Sequence, residues 1–319
     1  MKLNYVNKIK ANIAIYSNKK TNNILDGTYK SIYRGKSMNF ENLREYVIND
    51  EIKDIDWKAS AKTNTLYVKQ FIAEKKHNIL FIIDNDLKMT ADTDQHENKK
   101  NIALFTAGTI GYLAIKNNDY IGMLYKDSKK INYKPFKNNL YNLEDYLCEY
   151  DKSTNSNDTD TNQLLEYAYK NISKRMIIVL ITDINGVDSI KDNLLKKLKI
   201  KHDLLIVNIA DNYMTGNNVF DISNNKYITN FFLKDKKLNQ VEKQIREEIM
   251  NNNKNKLQKN NVCITTISSL KEINFKTIRL LEEHKYANRY WVKRNVFIFN
   301  YIDNSPSPIN YIIIDYYSS

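Results

Sequence analysis

His77-Asn-Ile-Leu-Phe-Ile-Ile-Asp84 and Met176-Ile-Ile-Val-Leu-Ile-Thr-Asp183 are the two stretches on which the fold turns. Each is a short, unbroken apolar run closed by a carboxylate. A strand with one wet face alternates apolar and polar residues, so these runs read as strands covered on both faces. Strand-like and helix-like segments alternate outward from them. Residues 97–117 carry Ile102, Phe105, Ile110 and Leu113 near helical spacing, and Gly108 and Gly111 within that stretch are suited to close helix packing. Residues 120–125 read as a strand and 138–150 as a helix. A polar loop, DKSTNSNDTD, precedes a helix over 161–173, and 188–198 is helical before a strand at 202–210. Beyond an extended or hairpin region at 219–232 come a long charged helix (234–260), a strand (262–267) and a helix (270–284). This alternation predicts an α/β fold with a doubly wound, mainly parallel sheet, and right-handed crossovers place helices on both faces.

The flanks differ. Residues 1–76 mix polar turns with extended segments at 12–16 and 66–71 and are expected to form a strand-rich N-terminal extension. Residues 77–288 would be the α/β domain, and 289–319, with a Pro-containing turn at 305–308, a C-terminal β-hairpin appendage.

Composition excludes several classes. The 319 residues carry a net charge of +12, and with 42% hydrophobic and 27% charged residues the chain is globular rather than disordered. Cys148 and Cys263 are too few for a disulfide framework or a structural zinc site. The opening MKLNYVNKIKANIAIYS lacks the apolar core of a secretory leader, and no apolar run approaches the ~20 residues of a membrane span, so a cytoplasmic location is expected. P-loop, H-E-x-x-H, G-x-S-x-G and C-x-x-C motifs are all missing.

Ligands of open parallel sheets bind where the strands end and the loops gather. Three such places carry oxygen: Asp84-Asn-Asp86-Leu-Lys88-Met89 after the first sheet strand, Thr161 at the start of a helix, and Asp183. The arrangement resembles the von Willebrand factor A fold, whose metal-ion-dependent adhesion site joins a D-x-S-x-S loop, a Thr and an Asp. Mg²⁺ takes six oxygens at ~2.0–2.1 Å, which Asp84, Asp86, Thr161 and Asp183 are of the type to supply. Lys88 departs from the pattern: an ammonium cannot ligate a cation and pairs with carboxylates instead. The expectation is therefore a degenerate site that binds no cofactor, or only a weakly held Mg²⁺.

Upstream, Gly27-Thr-Tyr-Lys-Ser-Ile-Tyr-Arg34-Gly35, Phe40-Glu-Asn-Leu-Arg44-Glu-Tyr46, and Asp54-Ile-Asp56-Trp57-Lys-Ala-Ser60-Ala-Lys62 form a block. It resembles the signature of the domain-of-unknown-function 58 (DUF 58) family over roughly residues 20–290, with Asp119, Thr161, Asp183 and His202-Asp203 continuing it in order. Within the block Arg34, Arg44, Tyr46, Asp54, Asp56 and Trp57 are read as structural, with Trp57 filling a core pocket and Asp56 pairing with Arg34 or Arg44. The resemblance implies a non-enzymatic adaptor working with a MoxR-type AAA+ ATPase in maturation or assembly of a target complex. Its partner-binding surface would be Asp84, Asp86, Lys88, Thr161 and Asp183. Two other classes compete: a metal-dependent hydrolase built on the acidic loops, and a nucleic-acid or anionic-surface binder using YKSIYRGK (29–36), RYWVKR (289–294) and the Lys-rich helix.

Overall fold

The computed structural model describes residues 3–16, 39–48, 50–63, 65–72, 76–128, 130–154, 161–212, 220–221, 226–227 and 236–284. In chain order these form α1 (Asn4–Tyr16), β1 (Asn39–Glu45), α2 (Trp57–Thr63), β2 (Tyr67–Ile72), β3 (Asn78–Ile83), α3 (Lys99–Lys116), β4 (Tyr120–Asp127) and β5 (Lys130–Lys137). There follow α4 (Leu140–Lys152), α5 (Thr161–Asn171), β6 (Ile177–Asp183), α6 (Ile184–Asp188), α7 (Asp192–Lys201), β7 (Asp203–Ile209), the two-residue strands β8 (Phe220–Asp221) and β9 (Lys226–Tyr227), α8 (Lys236–Lys259), β10 (Cys263–Ile267) and α9 (273–284).

Six strands make the central sheet in the order β10-β7-β6-β3-β4-β5. All neighbours are parallel except β4 and β5 at one edge. This doubly wound, mainly parallel α/β arrangement with one antiparallel edge strand is the fold class expected, of von Willebrand factor A-like type. Residues of opposite parity along β3 and β6 enter two separate cores. Ile79, Phe81, Ile83, Ile177, Val179 and Ile181 pack with α1, α3 and α4, while Leu80, Ile82, Ile178 and Leu180 pack with α5 and α7. Period-two alternation thus assigns every side chain of these strands to one face or the other, and both faces are dry.

The N-terminal segment corrects one expectation. Residues 12–16 are the end of a helix, not an extended piece, because Val6, Ile9 and Ile13 recur at helical spacing and the first two are fully buried. A Cβ on Gly108 would run into Ile9, and one on Gly111 would sit 2.8 Å from Leu143 Cδ1, so the two glycines let α1 and α4 close on α3. No acidic residue lies in the first turn of α1. Its orphan amides are met from α4 instead: the fully buried Glu144 accepts from Tyr5 N (2.9 Å) and Val6 N (2.8 Å). Contacts divide the chain into 1–284 and 285–319, so the N-terminal residues belong to the same unit as the sheet. The anticipated appendage at 289–319 lies outside the described residues.

Strand β5 is a further difference. The sequence reading assigns no element to Lys130-Ile-Asn-Tyr-Lys-Pro-Phe-Lys137, yet lysines and a proline are the residues that an exposed edge strand tolerates. The hairpin region expected at 219–232 contains the short antiparallel pair β8–β9.

Replacing Glu144 with Ala leaves two buried helix amides without an acceptor. Chemical unfolding should show a loss of about 3 kcal/mol, with Glu144→Gln recovering part of it through its remaining carbonyl oxygen.

Candidate functional site

Parallel register decides what meets at the rim. Ile83 pairs with Ile181, so the next residues, Asp84 and Thr182, stand side by side. Thr182 Oγ1 donates to Asp84 Oδ2 at 2.8 Å, and Asp86 N donates to Asp84 Oδ1 at 3.2 Å. Tyr150, fully buried, donates its hydroxyl to the Asp84 carbonyl at 2.9 Å. Asn85, also fully buried, ties the loop to its neighbours by donating to the carbonyls of Lys126 and Thr154 and to Ser153 Oγ. Asp86 caps a short 3-10 turn (Leu87–Thr90), accepting from Lys88 N at 2.8 Å, while its other oxygen lies 2.9 Å from Lys88 Nζ.

Asp183 closes β6 and caps α6, where Gly186 N donates to its Oδ1 at 2.9 Å. Gly186 has no positive φ; space, not backbone freedom, requires it. A Cβ there would overlap Thr182 Oγ1 and lie 3.0 Å from Thr161 Oγ1. Asp84, Thr161, Thr182 and Asp183 are therefore gathered at one rim of the sheet, as the sequence predicts for three of them.

Sequence reasoning misses the most consequential member. Lys99 opens α3 and is 2% exposed. Its ammonium pairs with Asp211 just beyond β7 and lies 3.7 Å from Asp183 Oδ2, an oxygen with no hydrogen-bond partner among the described residues. Burial lowers the Lys99 pKa, with Asp183 opposing that shift. Burial and the neighbouring Asp86 carboxylate push Asp84 up, to about 7. The signal available was Lys99-Lys100 at a helix start, where a positive charge opposes the helix dipole and is out of place unless something holds it.

The donor set does not fit a divalent ion. Both oxygens of Asp84 and of Asp86 accept hydrogen bonds or an ion pair from this chain, one oxygen of Asp183 caps α6, and the other faces an ammonium. Among the described residues no group of three or more His, Cys, Asp or Glu side chains is arranged to hold a metal ion. Lys88, expected to be the neutralising charge, forms its ion pair with Asp86, acts at longer range on Asp84 and Asp183, and has a side chain 52% exposed.

Burial also sorts the rim by accessibility. Asp84, Asp86, Thr161 and Asp183 are at most 3% exposed, whereas Lys88 and Leu87, at 40%, project outward. Beside Asp211 lies a cavity of about 440 Å³ between the ends of β7 and β10 and helix α8.

The signature block behaves differently from its reading. Trp57 is 62% exposed and fills no core pocket. Asp56 caps α2, accepting from Lys58 N and Ala59 N, and lies 3.8 Å from Lys69; of its two expected partners, Arg44 is engaged elsewhere. Arg44 forms a bidentate pair with Asp50, drawing that carboxyl down to about 2. Tyr46 N donates to Leu66 O, and Asp54 N to Glu51 O. Arg34 lies outside the described residues.

At the opposite end of the sheet, burial lowers His202 and His284 to about 4. For His202, 1% exposed, the charge of Lys201 adds to the effect and Asp203 opposes it.

The mainly parallel sheet with its single antiparallel edge and polar rim defines a von Willebrand factor A-like α/β domain. Residues 42–224 match the family described as "Protein of unknown function DUF58", and the chain belongs to that family. None of the curated proteins compared matches it. Among solved structures it is similar to BatB from Bacteroides thetaiotaomicron (12% identity, 65% of this chain and 98% of that one, TM-score 0.38). It is also similar to an aerotolerance-related membrane protein from Bacteroides fragilis (12%, 65% and 99%, 0.40) and to the pilus adhesin SpaC from Lactobacillus rhamnosus GG (10%, 66% and 30%, 0.41).

Two expectations follow. Gly186→Ala should destabilise the protein by about 1–3 kcal/mol, and Thr182→Ala, which removes the hydroxyl in the way, should make the double variant more stable than the sum of the single losses. Because His202 resists protonation in the fold but not in the unfolded chain, its contribution is constant above about pH 6.5 and is lost as pH falls toward 4. Unfolding titrations of His202→Asn between those values should show a shallower acid slope than wild type.

Proposed function

We propose that this protein is a non-enzymatic docking protein, an adaptor that works with a MoxR-type AAA+ ATPase in chaperone-like maturation or assembly of a target complex. The observation that supports this reading is the rim itself. Its carboxylates and the Thr182 hydroxyl are spent on one another, on backbone amides and on lysines, which fixes the 3-10 turn that carries Leu87 and Lys88 outward. A rigid, pre-organised turn with an exposed apolar and a cationic side chain is a binding feature, since little conformational freedom is lost on docking. The neighbouring cavity offers a place for a partner side chain.

A hydrolase reading finds less support. His202 and Cys263 stand at the far ends of β7 and β10, and burial raises the Cys263 thiol to about 11, which opposes nucleophilic use. The acidic loops would need a metal their donors do not fit. For the nucleic-acid reading, 29–36 and 289–294 lie outside the described residues, and Arg246 on α8 is spent on Glu242 and the carbonyls of Asp211 and Asn212. The ATPase partnership rests on the family resemblance, and the location on the rim is our reading of the geometry.

The test uses an exposed residue, because the buried carboxylates also hold the fold. Leu87→Asp, which keeps the Lys88–Asp86 pair in place, should leave the thermal midpoint nearly unchanged and weaken binding to a MoxR-type ATPase of the same genome at least tenfold in surface-plasmon measurements. Unaltered affinity, or no affinity in the wild type, would count against the assignment.

A further inference from the structure

We infer that Lys99 is the resident cation of this rim, a covalent, permanent substitute for the divalent ion that the D-x-S-x-S version of the site is built to hold. The inference concerns the rim alone and stands whatever docks there.

Three observations carry it. The first is position. Asp183 lies at the end of β6, and its parity places it on the α3 side of the sheet with Val179 and Ile181. Lys99 is the first residue of α3 and approaches from that side, with Nζ 3.7 Å from the Asp183 oxygen that has no hydrogen-bond donor among the described residues. The ammonium thus stands where that carboxylate would meet an external cation.

The second is connectivity. The same ammonium pairs with Asp211 beyond β7, joining two strand ends as a bridging ion would. Asp211 is in turn held by its carbonyl, which accepts from Arg246 of α8 at 3.3 Å. The third is cost. A lysine 2% exposed is rare, and at a helix N-terminus its charge opposes the aligned peptide dipoles. A residue that breaks both rules persists where its charge has a specific counterpart. Removing that charge leaves buried carboxylates without compensation, which is more damaging than removing the whole pair.

With an ammonium already in place, a divalent ion would have to enter beside a like charge and displace hydrogen bonds on Asp84 and Asp86. Asp183 and Asp211 therefore share a cation without added metal, and docking there should be insensitive to chelators.

The experiment compares wild type, Lys99→Ser, Lys99→Met and Lys99→Met/Asp183→Asn by thermal unfolding and by calorimetric titration with MnCl₂ and MgCl₂. Wild type should show no binding heat and no shift in midpoint with EDTA or millimolar metal. Lys99→Ser should gain a midpoint increase with Mn²⁺ that wild type lacks. Lys99→Met should lose roughly 10 °C, and adding Asp183→Asn should restore at least half of that loss. Micromolar metal binding by the wild type overturns the inference. So does a double variant no more stable than Lys99→Met, a comparison that stays informative if the serine variant does not fold.

Discussion

Placing carboxylates at the ends of strands that are dry on both faces is the constraint that organises this molecule. Asp84 and Asp183 close β3 and β6 with at most 2% of their surface exposed, and a charge in such a place costs several kcal/mol of lost hydration. The structure meets that cost in two ways. Asp84 takes the Thr182 hydroxyl and a backbone amide, while Asp183 takes a helix amide and the Lys99 ammonium. An ion pair at this separation is worth about 4 kcal/mol at an effective dielectric of 20, comparable to what its burial costs. Its net stabilisation is accordingly small. What it supplies is geometry: once the carboxylates are buried, the few partners that satisfy them allow one arrangement of the loops.

The same logic operates behind the rim. Helix α1 reaches its place because two glycines remove the side chains that would hold it off α3, and because Glu144 supplies the negative charge its own first turn lacks. A buried carboxylate with two amide donors tolerates no sliding of the helix that carries them. Apolar contact decides that α1 packs there; the polar pair decides at which turn.

Fold class was legible because it depends on periodicity, which the sequence displays directly. Unbroken apolar runs at β3 and β6, alternating with helical spacing, leave little besides a parallel sheet. The helix at 4–16 carried its own signal in Val6, Ile9 and Ile13, and β5 was hidden by the charged residues and proline that suit an edge. The site was legible in part. Asp84, Thr161 and Asp183 could be placed at strand ends or helix starts without knowing which strands were neighbours. Thr182, Asp211 and Lys99 could not, since their roles arise from register and from a helix crossing the sheet. Lys88 illustrates the difference. Two residues from Asp86, it was the obvious counter-charge and pairs with that carboxylate from a half-exposed position, whereas Lys99 arrives on the next helix from the buried side to meet Asp183.

The signature block shows why a residue's type is a poor guide where there is no core to enter. Strands β1 and β2 form a two-stranded sheet, too small to enclose an apolar interior of its own. Apart from Ile55 and Val68, which are buried and bridged to each other, what holds their connection together is polar. Arg44 clamps Asp50, Asp56 caps α2, and Ser60 Oγ donates to the Asp56 carbonyl while accepting from Tyr67 N. With those side chains turned inward, Trp57, Ile48, Ile52 and Leu66 have nowhere to go but out, at 45–84% exposure. The block's spacing is thus set by hydrogen bonds that close a hairpin connection, and its tryptophan stands on the surface as a consequence of how the charged residues beside it are satisfied.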